Sequence, residues 1–202
     1  MSKRENKKEL ILLAGMEVMK RQGYNGTGVK DIVDAAGVPK GSFYNYFESK
    51  EQFAIDAIDY SAAEGQVYAQ SILGDKARCP LERIHAFFIS GVNNAKANNF
   101  TTGCFLGNMC QEMADSSQVI CLKLDSLLSS KTRLIASVIS EGQDLAVIPS
   151  VIDANTAAEF IFNAWEGSLM RAKASKSSAP LDAFMSMLQH QVSFSSYLAE
   201  AF

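Results

Sequence analysis

Apolar residues recur along this chain at spacings of three and four, hardly ever at two. That period belongs to the face of an α-helix, and it leaves little room for a half-buried strand. The only prolines, Pro39, Pro80, Pro149 and Pro180, each stand where a helix could begin, since the first turn tolerates a missing N–H. Apart from the KASKSSAP stretch at 173–180, there is no low-complexity tract and no repeat. The pattern predicts an all-α chain of about nine helices, at roughly 4–22, 27–36, 39–47, 50–73, 81–97, 103–114, 116–142, 153–173 and 180–200.

Local signals set the first boundaries. Ile11, Ala14, Val18 and Met19 mark the buried side of the first helix, and Gly23 suits a left-handed cap after it. Thr27 is the expected N-cap of the second helix. Lys30 then falls at the capping-box position, where a cation costs a few tenths of a kcal/mol that an external anion could offset. Gly37 can end the second helix and Pro39 start the third, a helix-turn-helix spacing. Ser49 caps the long helix that follows, with no flexible linker between a small unit at 1–50 and the remainder at 51–202.

A chain of 202 residues accommodates such a small unit and a larger one. Its composition, 48% apolar and 20% charged, is that of a soluble globular protein. The basic start is followed by an apolar run that Glu5, Glu9 and Glu17 interrupt, so a signal peptide or membrane span is not expected and a cytoplasmic location is. Cys79, Cys104, Cys110 and Cys121 form no C-x-x-C pair, and His85 and His190 lie far apart. Neither a disulfide framework, a metal site nor a cofactor is expected. The net charge of −3 divides unevenly: residues 1–50 hold nine Lys/Arg against six Asp/Glu, and 51–202 hold ten against sixteen. A polyanionic partner, if there is one, would meet the first fifty residues.

The segment VPKGSFYNYFESK, 38–50, fits that partner. On an α-helix Phe43, Tyr46 and Phe47 share one side, and Gly41, Ser42, Tyr44 and Asn45 the other. The first side can anchor on Ile32 and Val33. The second is small and hydrogen-bonding, as a helix entering a DNA major groove requires, with Lys30, Lys40 and Lys50 placed for phosphates. A merely solvated helical hairpin would show the same spacing.

The longer stretch TGVKDIVDAAGVPKGSFYNYFESKEQF resembles the N-terminal helix-turn-helix of TetR-family transcriptional regulators. The resemblance is close over about 5–60, and general in layout beyond. It implies a three-helix DNA-binding domain with its motif at 28–47, and a larger helical ligand-binding and dimerisation domain. It also implies a palindromic double-stranded operator, a small-molecule inducer, repression, and a homodimer through the last two long helices. By this resemblance Thr27 and Lys30 contact phosphates, and Lys40, Gly41 and Ser42 enter the groove. Asn45 reads a base edge, Tyr44 and Lys50 hold phosphates, and Tyr46 takes the place of a more frequent histidine.

In the acidic body, two apolar stripes invite attention. One is Ala157, Phe160, Ile161, Ala164, Trp165, Ser168 and Leu169. The other is Leu181, Phe184, Met185, Leu188, Val192 and Tyr197. They suit either a four-helix dimer interface or burial within one subunit. In FTTGCFLGNMCQEMAD, 100–115, Cys104 stands near the N-terminus of a predicted helix, which would lower a thiol's pKa, with Phe105 and Met109 nearby. This stretch resembles a TetR subgroup that includes the repressor of N-ethylmaleimide reductase, where the cysteine senses electrophiles or oxidants. The expected sensor pocket comprises Phe87, Cys104, Phe105, Met109, Phe162 and Trp165. Its occupation would shift the 81–114 helices and tilt the 50–73 helix. Cys104 as a plain apolar wall residue is the alternative. A cysteine enzyme finds no base, as neither histidine forms a constellation with Cys104, and a helical protein-interaction module leaves Lys40, Ser42 and Asn45 without a role.

Overall fold

The structure, a computed structural model, describes residues 3–193, with side chains from 4 to 189. Among these there are eight α-helices, one 3₁₀ helix and no strand. They are α1 (Lys3–Gln22), α2 (Val29–Ala35), the 3₁₀ helix Lys40–Asn45, α3 (Lys50–Leu73), α4 (Pro80–Ala97), α5 (Phe105–Met113), α6 (Gln118–Asp144), α7 (Ala154–Ser175) and α8 (Ala179–Ser193). No helix among the described residues is long and apolar enough to cross a membrane.

The chain packs as two compact units. The first runs to Glu64 and takes in Phe105–Asp125; the second takes Gly65–Cys104 and the described residues from Ser126 onward. The two units divide inside α3, after Glu64.

In the first unit, Ile11 and Met19 of the predicted α1 stripe are buried, completed by Leu12 and Met16. Helix α1 approaches its neighbours closely at Gly15, where a Cβ would lie 2.5 Å from Ile32 and 2.6 Å from Phe53. Gly23 and Gly37 adopt φ of +78° and +64°, ending α1 and the turn after α2 in the left-handed region that glycine enters at least cost. Phe105, Leu106, Met109 and Met113 of α5 are buried here as well.

One cap differs from expectation. The N-cap of α2 is Gly28, one residue beyond Thr27, and Asp31, not Lys30, then occupies the third helical position. Its carboxylate accepts the Gly28 N–H at 2.8 Å, so the helix start carries the acid that the macrodipole favours. Ser49 caps α3 as predicted, its hydroxyl accepting from Gln52 N–H at 3.0 Å. Pro80 opens α4 and Pro180 lies in the first turn of α8, but Pro149 sits in the loop before α7, which Asp153 caps instead.

The second unit is built around Phe88, Trp165 and Phe184, whose ring centroids stand 5.0 to 5.3 Å apart. Leu181, Phe184, Met185 and Leu188 are all buried in this core. These four residues of the predicted α8 stripe therefore pack inside the subunit. Val192 and Tyr197 of that stripe, and His190, lie outside the described side chains. Arg83, 1% exposed, donates to Leu73 O at 2.8 Å and lies 2.7 Å from Glu141, which also pairs with Lys76.

Candidate nucleic-acid interface and ligand cavity

The segment between α2 and α3 is a 3₁₀ helix of six residues, not the predicted α-helix of 39–47. Pro39 is extended (φ −60°, ψ 145°) and precedes the helix; the Ser42 N–H donates to Pro39 O at 2.8 Å to form the first tight turn. So short a segment takes its shape from the surface that seats it, and 3₁₀ turns serve at such lengths.

The seat is aromatic. Phe43 and Phe47 are buried, and their rings meet Phe53 at 5.8 and 5.0 Å. With these two side chains turned inward, Lys40, Gly41, Tyr44 and Asn45 are exposed, and Ser42 and Tyr46 half-exposed. Tyr44 is 59% exposed and fixed edge-on to Phe43, with centroids 5.3 Å apart. Around Gly41 a Cβ would meet nothing within 4 Å, so the protein itself does not demand glycine there.

The lysines divide into two kinds. Lys30 and Lys40 are exposed, Lys30 lying 3.8 Å from Asp34. Lys50 instead turns inward. Its ammonium donates to the carbonyls of Tyr24 and Thr27 at 3.0 and 3.1 Å and lies 4.1 Å over the Tyr24 ring. Thr27 is fully buried, its hydroxyl donating to Gly23 O at 2.6 Å. Both residues, expected at phosphates, staple the loop after α1, and Thr27 offers no hydroxyl to solvent. Glu112 of α5 completes the staple by accepting the Asn25 N–H at 2.8 Å. Arg4, which the sequence did not single out, donates to Asn45 O at 3.4 Å. Its one hint was its place in the basic front.

The second unit holds a cavity of about 220 Å³. Phe87, Cys104, Phe162 and Trp165 line it together, as do Glu166 and Lys131, which the sequence did not point to. Phe105 and Met109, expected beside them, belong to the first unit and are buried in it. The reason is the turn at Gly103 (φ +66°): Cys104 is the last residue of one unit and α5 begins with the other. The Cys104 thiol donates to the Glu166 carboxylate. Burial pushes the Glu166 carboxyl above its usual range, while that hydrogen bond and the charge of Lys131 pull against the shift. Helix α4 comes close at Gly91, where a Cβ would lie 2.6 Å from the Trp165 ring.

This arrangement agrees with what the chain resembles. Residues 11–57 match the family described as bacterial regulatory proteins, tetR family, and residues 80–188 match the tetracyclin repressor-like C-terminal domain. The HTH-type transcriptional repressor DhaR of Mycobacterium sp. (strain GP1) is 31% identical over 86% of this chain and 86% of its own length. The HTH-type transcriptional repressor NemR of Escherichia coli (strain K12) is 25% identical over 87% and 88%. Among solved structures, a regulatory protein TetR from Rhodobacter sphaeroides superposes with a TM-score of 0.86 at 29% identity, over 91% of this chain and 97% of that one. With both domains matched in order along one chain, the protein belongs to the TetR family of DNA-binding regulators.

Proposed function

We propose that the protein is a homodimeric, cytoplasmic repressor that leaves its operator when a small molecule fills the cavity, and that Cys104 is where an electrophilic inducer attaches. The observation that carries the DNA-binding surface is the exposed set Lys40, Gly41, Tyr44 and Asn45 over the buried pair Phe43 and Phe47. The proposed phosphate contacts are Lys30, Lys40 and Tyr44; the proposed groove contacts are Gly41, Ser42, Asn45 and Tyr46. Lys50 and Thr27 act by fixing the loop behind them. The names of DhaR and NemR support repression over activation.

The subunit contact is proposed at the exposed edge of the predicted α7 stripe, the side that carries Phe160. Phe160 and Met170 are each 61% exposed, and Gly167 between them has open space over it. Met187 of α8 adds a further exposed apolar side chain. The spacing of 160, 167 and 170 suits helix-on-helix packing between subunits. Met170→Arg is expected to shift sedimentation from dimer to monomer and to abolish cooperative binding to a two-half-site operator.

The test of the whole reading is fluorescence anisotropy on labelled duplex taken from beside the chain's own gene. Wild type is expected to bind with strong salt dependence and to release as N-ethylmaleimide is added to stoichiometry, whereas Cys104→Ser binds and stays bound. Tyr44→Ala and Lys40→Ala should each weaken binding about tenfold, Lys40→Ala also reducing the salt slope by about one. Gly41→Ala is the more telling change. It should leave the melting temperature level or slightly higher, because the site is open, yet weaken binding by about tenfold as the new methyl group meets the duplex. Undiminished binding by Gly41→Ala and Tyr44→Ala together would remove this surface from the interface.

A further inference from the structure

Cys104 does not stand alone on the cavity wall. Glu166 of α7 accepts its thiol hydrogen bond, and Lys131 of α6 acts on the same carboxylate through its charge. A nucleophile, a carboxylate and an ammonium group therefore converge on one cavity, whose wall also includes the flat aromatic side chains of Phe87, Phe162 and Trp165 and the polar ones of Ser90, Asn94 and Asn98. Helix α7 also brings Lys173 to the lining, while α3 and α4 contribute no charged side chain to it among the described residues.

We infer that Glu166 is the proton acceptor that sets the reactivity of Cys104 toward a small α,β-unsaturated carbonyl compound in this cavity. The inference rests on the assignment of Cys104 as the attachment point. The thiolate, not the thiol, is the nucleophile. As sulfur bonds to the β-carbon, the thiol proton passes to the Glu166 carboxylate and the alkene electron pair moves onto the carbonyl oxygen as an enolate. The ammonium group of Lys131 offsets that developing negative charge. The enolate then takes the proton back from Glu166 at its α-carbon, leaving a saturated thioether. Every atom is accounted for, and no oxidant or reductant enters.

Burial makes Glu166 a stronger base than an exposed carboxylate, which narrows the gap to the thiol. An aromatic wall suits a flat, conjugated ligand, and a cation beside the base suits one whose oxygen gains charge during reaction.

The experiment uses the full chain and N-ethylmaleimide as the probe, with adducts at each cysteine timed by peptide mass spectrometry between about pH 5.5 and 9. Exposed Cys79 is the internal reference. Near pH 7, Glu166→Gln is expected to slow the Cys104 adduct by about tenfold or more and to leave Cys79 unchanged, with the deficit closing as pH passes the ordinary thiol range near 8.5. Glu166→Asp should keep most of the rate, and Lys131→Met should lower it at every pH. Should Glu166→Gln alkylate at Cys104 as fast as wild type, or faster, the carboxylate merely holds the proton on sulfur and the inference is overturned. Glu166-dependent alkylation that leaves DNA binding intact supports the proton transfer but sinks the sensing role. Release from DNA with no dependence on Glu166 does the reverse.

Discussion

Phe43→Ala is expected to cost roughly 3–5 kcal/mol and to abolish operator binding. Phe43 is fully buried and its ring meets those of Tyr44, Phe47 and Phe53, so truncation removes the hub of the aromatic seat. The 3₁₀ segment has six residues and little intrinsic helix stability, so it cannot keep its shape once unseated. The loss would be a large share of a whole domain's stability, usually about 5–15 kcal/mol. Denaturant titration followed by helical circular dichroism, with anisotropy on the same samples, measures both effects. Tyr44→Phe is the companion. It keeps the edge-on ring contact, so the denaturation midpoint should stay within about 0.5 kcal/mol while binding falls through the lost hydroxyl. If Phe43→Ala bound DNA with wild-type affinity, the exposed face would not depend on its seat.

The amino-acid sequence carried the helices well because their period is long and repeated. It also carried the glycines, since Gly23 and Gly37 must enter a left-handed region that other residues avoid. What it did not carry has a common physical origin: the deciding partner was remote or was backbone. Lys50 reads as a phosphate anchor until the carbonyls of Tyr24 and Thr27, far back in the sequence, take its ammonium group. Thr27 reads as a cap because Thr caps helices, but its hydroxyl reached Gly23 O first and passed the cap to Gly28. The 3₁₀ geometry of 40–45 is a tertiary choice, since residue types alone favour either helix at that length. In α7 the apolar stripe was legible, yet Glu166 lies next to Trp165 and its partners come from 104 and 131. The α8 stripe was equally legible as apolar; which surface buries it is not written in its period, and Phe88 and Trp165 do so within the subunit.

Arg83 offers the second large effect, and an order of effects that discriminates between causes. Arg83→Ala should destabilise by roughly 3 kcal/mol, because it empties a fully buried site and leaves Leu73 O without its donor. Arg83→Met fills most of the same volume without a charge, and buried ion pairs replaced by apolar side chains of similar size are often near neutral, so its cost should stay near 1 kcal/mol. Glu141→Ala should fall between the two although its side chain is the more exposed, because it strands a buried guanidinium without its counter-ion. The pH dependence follows from the same contact. The hydrogen bonds from Arg83 and then Lys76 hold the Glu141 carboxyl below the usual carboxylate range. A folded-state pKa lowered in this way adds stability that is complete above the unfolded value, near 4.5, and disappears as pH falls through the lowered folded one. Thermal melts between about pH 3 and 7 should therefore converge for wild type and Glu141→Gln at the acid end and separate toward neutrality. Parallel curves over that range would mean that Arg83 is held by its carbonyl partner and its packing alone, and the order predicted for the three substitutions would then fail as well.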